Sequence, residues 1–187
     1  MPARNTLVRS LHDLGAAAWF GGSLMGALGV NGAAGEVRDP TDRARVAAAG
    51  WAKWAPASAA AIGAHLVGGA GLLLAQQDRV RNQAGVTANT TLKCILTGVA
   101  LATTAYSGVL GAKVARGDGQ PTRGGTEPAL GTPTVVAQAQ RQLRIVQWVT
   151  PVLTAAIIVL GAQQGEQQRP GQVLAGFGTK LARKARR

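Results

Sequence analysis

The chain has 187 residues, of which 47% are hydrophobic and 15% are charged, and its formal net charge is +12. This hydrophobic content excludes a disordered chain, and a single cysteine excludes both an internal disulfide framework and a metal cage built from cysteine alone. The basic residues cluster at the ends of uncharged stretches and in the last segment, where membrane proteins use them as anchors and orientation signals. We therefore predict no nucleic-acid partner.

Four stretches of the chain contain no Asp, Glu, Lys or Arg, and each has about the 20 residues that a helix needs to cross a bilayer. Together they hold more uncharged chain than one soluble core of this size would bury. We predict an all-α integral membrane four-helix bundle; a buried bundle in a soluble protein is the alternative. The predicted domains are a cytoplasmic N-terminal segment (1–13), a transmembrane domain (14–165) with spans at about 14–35, 54–77, 94–112 and 145–165, and a basic cytoplasmic tail (166–187).

The loop after the first span is predicted to form a helix that lies along the outer membrane surface. Asp39 suits the N-cap and Pro40 the first helical position, while Pro56 allows a bend into the second span. Tryptophans occur where helices would meet the membrane interface, which is where their amphipathic rings are enriched. We predict three interface anchors: Trp51, Trp54 and Trp148.

The third loop and the tail are predicted from composition. Residues 116–133 are rich in Gly, Pro and polar groups and indicate irregular chain, after which residues 135–144 resume a helical pattern. The tail combines sparse apolar residues at helical spacing with many basic ones. It favours an amphipathic segment that binds anionic lipid, with a disordered solubilising tail as the alternative. The lipid-binding residues would be Lys180, Arg183, Lys184, Arg186 and Arg187.

Charge placement predicts the orientation. The second loop and the tail hold basic residues with few acidic ones, whereas the first loop mixes both signs. Basic residues in short loops and near the membrane favour the cytoplasmic side, so we expect both termini in the cytoplasm and the first and third loops outside. Arginine-rich, lysine-poor usage is typical of a GC-rich bacterium, which makes a bacterial plasma membrane the expected location.

The spans lack charged residues, which excludes the usual markers of a proton relay, a voltage sensor or an ion-coupled transporter. They carry instead small residues at four-residue spacing, which allow helix backbones to approach closely. Such faces serve either packing within the bundle or docking of another membrane subunit. The predicted helix-packing residues are Ala18, Gly22, Gly26, Ala57, Ala61, Gly69 and Gly108.

His65 is the only ionisable residue near the centre of a span. Ser23, Thr103 and Thr154 lie at similar depth when counted from the outer ends, roughly 14 to 18 Å at the helical rise, which predicts a midplane polar layer of these four residues. The functional alternative makes neutral His65 a metal or haem ligand. The same counting places His12 about 15 Å away in depth, too far for one iron to bind both.

The segment Leu11-His12-Asp13-Leu14-Gly15, followed by Trp19-Phe20-Gly21-Gly22, resembles the first helix of small four-helix membrane proteins of the copper-resistance protein D type. The resemblance covers the first third of the chain and implies a four-helix membrane fold. Because members of that family are linked to copper uptake, it also implies His12 as a candidate copper ligand.

Other catalytic arrangements are absent from the sequence: there is no Ser-His-acid set at a plausible depth, no phosphate-binding glycine loop and no carboxylate pair in a span. We predict a non-enzymatic multi-pass membrane protein without a cofactor, acting as an accessory or scaffolding subunit of a larger membrane partner or as a homo-oligomer. The alternative is a metal- or haem-handling transport or redox protein that uses His12 and His65. A solute channel through a self-oligomer is a third hypothesis.

Overall fold

The computed structural model describes residues 5–75, 77 and 84–166, and within these ranges the chain is mostly helical. The predictions for the basic tail, including its five lipid-binding residues, lie outside the described residues. The elements in chain order are helix α1 (Thr6–Met25), a π-helical turn (Gly26–Val30), helices α2 (Asn31–Gly35), α3 (Arg43–Ala75) and α4 (Ala84–Ala115), strands β1 (Thr122–Gly124) and β2 (Glu127–Pro128), and helices α5 (Thr134–Val146) and α6 (Val149–Glu166).

Among the described residues, three helical segments are long and apolar enough to cross a membrane: Arg43–Ala75, Val86–Ala115 and Thr134–Gln163. They confirm the prediction of an all-α protein with transmembrane helices. The first predicted span is also helical throughout, but it begins earlier than predicted, at Thr6, and the π-helical turn divides it. Four spans remain a proposal.

Helices α1 and α3 form the most extensive helix pair and run antiparallel. The indole ring of Trp54 lies over Gly22, and the ring of Trp51 lies over Gly26, so that a Cβ atom at either glycine would collide with the ring. Bulky rings seated on glycines bring two backbones close together, which is how helices gain dispersion contacts in a membrane.

The predicted surface helix is not a separate element. Helix α3 begins at Arg43 and continues through Pro56 to Ala75 as 33 residues, about 50 Å long at 1.5 Å per residue. Since this exceeds a hydrocarbon core of about 30 Å, its first turns extend the span outward instead of lying on the surface. Pro56 is exposed and does not end the helix, although its missing N–H and its ring make proline unfavourable in a helix interior.

Asp39 caps a turn before α3 rather than the helix itself. Its Oδ1 accepts hydrogen bonds from the Thr41 hydroxyl at 2.6 Å and the Thr41 backbone N–H at 2.9 Å. These two donors lower the pKa of the Asp39 carboxyl from its usual value, because they favour the charged form.

The third loop is not wholly irregular, because it contains a short antiparallel hairpin of β1 and β2. Side chains distant in sequence hold it: the buried Gln140 amide donates to the Gly124 carbonyl at 3.0 Å, and the Arg43 guanidinium donates to the Arg123 carbonyl at 3.2 Å. Strands of two or three residues leave almost no periodic signal, so composition could not reveal them.

A hydrophobic cluster lies between α3, α4 and α5. It consists of Ala44, Leu110, Val114, Val136 and Ala139, with Leu143 packed against it. The cluster and the hairpin together close the end of the helix bundle at which α3 begins.

Candidate functional site

Two histidines stack where α1 crosses α3. The ring centroids of His12 and His65 are 4.1 Å apart with an angle of 21° between the ring planes. His12 Nδ1 lies 3.0 Å from the His65 carbonyl oxygen, and His65 Nδ1 lies 3.1 Å from the His12 carbonyl oxygen. Because a carbonyl can only accept, we assign the proton of each ring to Nδ1, which leaves each Nε2 as the acceptor nitrogen.

The same short motif surrounds both histidines. Each is followed three residues later by a glycine, Gly15 on α1 and Gly68 on α3. A Cβ atom at Gly15 would come within 2.5 Å of the His65 backbone nitrogen, and one at Gly68 would collide with the His12 backbone nitrogen. The two His-x-x-Gly segments therefore clasp each other with local two-fold symmetry, each glycine admitting the backbone of the opposite histidine.

The prediction that His12 and His65 lie about 15 Å apart in depth is wrong. It assumed that the charge-free stretches begin and end at the same level on the outer side, with Trp54 opposite Gly35. In the structure Trp54 lies opposite Gly22, so the second stretch is shifted along the first. The fit of rings onto glycines sets the register of the helices, and the positions of charges do not.

The histidine pair does not fit a shared metal ion. An imidazole binds a metal through the lone pair in its ring plane, and two stacked, nearly parallel rings cannot direct two such lone pairs at one ion. Among the described residues there is also no group of three His, Cys, Asp or Glu side chains that could hold a metal. His65 Nε2 lies instead 3.4 Å from the Thr97 hydroxyl of α4. The same arrangement does not fit a haem held between the two histidines.

The predicted midplane polar layer does not form. Ser23 lies on α1 about 11 residues beyond His12, which is about 16 Å along the helix from the level of His65. Its hydroxyl donates to the Phe20 carbonyl at 2.9 Å, Thr103 donates to Val99 at 2.7 Å, and Thr154 donates to Thr150 at 2.8 Å. Ser and Thr in helices readily bond to their own preceding turn, so these hydroxyls do not need each other.

The predicted packing residues divide into two groups. Gly22, Gly26, Ala61 and Gly69 lie in the α1–α3 crossing; a Cβ at Gly69, for example, would lie 3.2 Å from His12 Nδ1. The others are exposed and are not buried in this crossing: Ala18, Ala57 and Gly108.

The structure adds packing contacts for two of the predicted anchor tryptophans. Trp51 and Trp54 are half-buried, each with its indole ring against a glycine of α1. Their role as interface anchors stays a prediction. Trp148 is exposed between α5 and α6, and its anchoring role stays a prediction.

A cavity of about 540 Å³ lies between α1, α3, α4 and the junction of α5 and α6. The indole rings of Trp19, Trp51 and Trp54 line one side, and Gly108 and Gly111 of α4 line another. Residues of the hairpin turn, Gly125 and Thr126, also belong to the lining. Sequence reasoning missed this cavity, although it singled out two of the three tryptophans and Gly108 for other reasons.

Neutral hydrogen bonds order the wall of the cavity. The Trp51 indole N–H donates to Asn31 Oδ1 at 3.0 Å, and Asn31 Nδ2 donates to Gln147 Oε1 at 2.8 Å. Deeper in the bundle, the Trp19 N–H donates to the Thr104 hydroxyl at 3.2 Å. Within the part of the chain that the structure describes, no Asp, Glu, Lys, Arg or His lines the cavity. An apolar cavity with a few oriented polar groups has the character of a small-molecule site.

The π-helical turn places Asn31 at this wall. The residues of α1 that face α3 recur at helical spacing up to Gly26, and an α-helix would continue that face at residue 29 or 30. The turn Gly26–Val30 adds one residue to the spacing, so that Asn31 meets Trp51. Such π-helical insertions occur frequently at functional sites.

No protein-family model, curated protein or solved structure matches this chain. The resemblance to the copper-resistance protein D type therefore stays a prediction, and the geometry of the site carries the functional argument.

Proposed function

We propose that this chain is a non-enzymatic multi-pass protein of a bacterial plasma membrane, with four spans and both termini in the cytoplasm, that acts as an accessory subunit of a larger membrane protein. The observation that carries the proposal is an exposed stripe of small residues along α4. The stripe consists of Gly98, Ala102, Ala105 and Ala112.

The stripe is exposed within the described part of the chain. A Cβ atom added at Gly98 would meet nothing within 4 Å. Larger exposed side chains lie along one side of the stripe, with Ile95 57% exposed and Val99 46%. A shallow strip of small residues beside a β-branched ridge is a surface that allows another helix to approach closely.

The outward side of α6 provides the contrast. It carries large apolar residues, such as Val152 and Val159, which are 66% and 55% exposed. Side chains of this size suit contact with lipid chains. Because lipid chains are equally apolar, such a surface gives no hydrophobic driving force for helix association. The difference between α4 and α6 supports a helix partner on the α4 side.

The crossing of α1 and α3 shows that small residues already allow close helix packing within this chain. At Gly15 and Gly68 the absence of a side chain already brings two helices of this protein together. The stripe on α4 has the same composition but no partner among the described residues.

Site-specific photo-crosslinking tests the proposal. A photoreactive phenylalanine analogue at Ala105 is expected to cross-link, in the native membrane, to one membrane protein of defined mass, whereas the analogue at Val159 on α6 is not. The double variant Gly98→Leu, Ala102→Leu fills the stripe and should lower recovery of that partner roughly tenfold, corresponding to about 1.4 kcal/mol. The control is Val152→Leu, Val159→Leu, which enlarges the α6 side and should leave recovery unchanged. Cross-links only to lipid, or only to a second copy of this chain, would contradict an accessory role.

A further inference from the structure

We propose that the cavity between α1, α3 and α4 is a binding site for an uncharged amphiphile from the bilayer, one with an apolar body and a carbonyl or hydroxyl oxygen. Ligand binding there does not depend on the docking of a partner subunit proposed above.

The size of the cavity favours a small molecule. Ligand sites typically measure about 300–1,000 Å³, and this cavity holds about 540 Å³. A helix about 10 Å across would fill that volume with little more than one turn, so a partner helix is too large an occupant.

The open side of the cavity lies between two helices of membrane-spanning length. The described lining residues that are exposed are small: Ala52, Ala55 and Ala59 on α3, and Gly108, Ala112 and Ala115 on α4. An opening between these helices admits molecules from the hydrocarbon region, where the available ligands have apolar bodies.

The lining selects against charge. None of the described residues around the cavity is acidic, basic or a histidine, so an ionised headgroup would lose its hydration without a compensating partner among them. Three indole rings supply instead a broad apolar and aromatic surface.

Two hydroxyls supply the polar contact. Ser107 Oγ is buried and has no hydrogen-bond partner among the described residues. The Thr104 hydroxyl accepts from Trp19, and its own hydrogen has no acceptor within the described part of the chain. Both residues line the cavity one turn apart on α4. Because the Ser107 oxygen is buried in the cavity wall, its side chain must rotate about χ1 before both O–H groups can donate to one oxygen of a ligand. A buried donor left unpaired is costly, and a ligand carbonyl or hydroxyl would satisfy it.

Fluorescence quenching by brominated ligands tests the proposal. The full chain carrying Trp148→Phe, which removes the tryptophan outside the cavity, is placed in lipid nanodiscs. We expect a diacylglycerol with brominated chains to quench the remaining tryptophans in a saturable manner, and unlabelled diacylglycerol to reverse the quenching. A short-chain quinone, added on its own because quinones themselves quench tryptophan, distinguishes the two sources of such an oxygen by whether its quenching saturates. A brominated alkane and a brominated fatty-acid anion should give no reversible component.

Three variants locate the effect. Gly108→Leu puts a side chain into the cavity at a position with nothing within 4 Å, and it should abolish the reversible quenching. Ser107→Ala removes one donor without adding volume and should weaken binding about three- to tenfold, the range of a single hydrogen bond. The matched control Gly98→Leu, on the same helix but away from the cavity, should bind as the parent chain does.

Four results would overturn the proposal. Diacylglycerol quenching that unlabelled diacylglycerol fails to reverse, together with quinone quenching that does not saturate, would show only collisions with lipid. Equal reversible quenching by the alkane would remove the role of the hydroxyls. Equal binding of the fatty-acid anion would contradict selection for uncharged ligands. Reversible quenching that survives Gly108→Leu would place the ligand elsewhere. If Gly108→Leu lowers the melting temperature, Ser107→Ala decides in its place, and unchanged affinity there would count against the site.

Discussion

At the scale of single residues, glycine decides which surfaces of α1 and α3 can touch. Gly15 and Gly68 lie where the backbone of the opposite helix passes, while Gly63, also on α3, has nothing within 4 Å of an added Cβ. The sequence pattern identifies all of them as small residues. Only the helix crossing shows at which glycine an added methyl group would clash with a neighbouring backbone, and at which glycine it would fit.

This distinction predicts opposite effects of the same substitution. Gly68→Ala places a methyl group against the His12 backbone and should destabilise the protein by about 1–3 kcal/mol, as overpacking usually does. Gly63→Ala should leave stability unchanged or raise it by up to about 1 kcal/mol, because alanine favours the helix. Thermal unfolding of both variants in the same detergent, followed by circular dichroism, measures the difference. Equal melting temperatures would mean that the His-x-x-Gly contact is looser than described.

At the scale of elements, the π-helical turn sets the direction of α2. Before the turn, His12 and Gly22 of α1 contact α3. After the turn, Asn31 forms hydrogen bonds with Trp51 and Gln147. Asn31 also lies beside the hairpin, since a Cβ at Gly125 would come within 2.8 Å of its Oδ1. The turn thus connects α1 to the end of the cavity that the hairpin closes.

Adding one residue to the turn tests this coupling. The turn already holds one residue more than regular α-helical spacing needs, so an alanine inserted after Leu28 should rotate Asn31 by about 100° relative to α1. The loss of its hydrogen bonds should raise hydrogen–deuterium exchange of the hairpin, residues 122–128, about tenfold, as expected for one to two lost hydrogen bonds. Leu28→Ala retains the chain length and should leave exchange of the hairpin as it is. Unchanged exchange in the insertion variant would show that the hairpin is held without Asn31.

At the scale of the whole molecule, the arrangement predicts that the hairpin and the cavity end of the bundle lie outside the cytoplasm. At about 50 Å, α3 extends well beyond a core of about 30 Å, and the positive-inside rule favours the cytoplasm for the opposite end of the bundle. The loop that contains the hairpin would then be extracellular or periplasmic, while the basic tail would face anionic lipid inside.

Cysteine labelling tests the orientation. In a Cys94→Ala background, an Asp118→Cys variant should react with a membrane-impermeant maleimide in intact spheroplasts. An Arg183→Cys variant should react only after the membrane is opened, because the positive-inside rule places the tail in the cytoplasm. The reverse pattern would invert the topology, and labelling of both sites in intact spheroplasts would contradict a single span between residues 118 and 183.

Part of this structure is readable directly from the sequence. Long charge-free stretches rich in alanine and glycine predict transmembrane helices because length and hydropathy are local properties of the chain. The helix over residues 135–144 was likewise visible as a pattern, and α5 contains it. Small residues at helical spacing also predicted close packing, and Gly22 and Gly26 lie in such contacts.

What the sequence alone determined is therefore which parts of the chain form helices of membrane-spanning length, since a bilayer selects them by composition. The tertiary structure decided how those helices align. It stacked His12 on His65, turned Trp51 and Trp54 inward, and left a cavity beside Ser107. The physical reason is that helix register depends on which bulky ring fits which glycine on another helix, and that match lies between residues far apart in the chain.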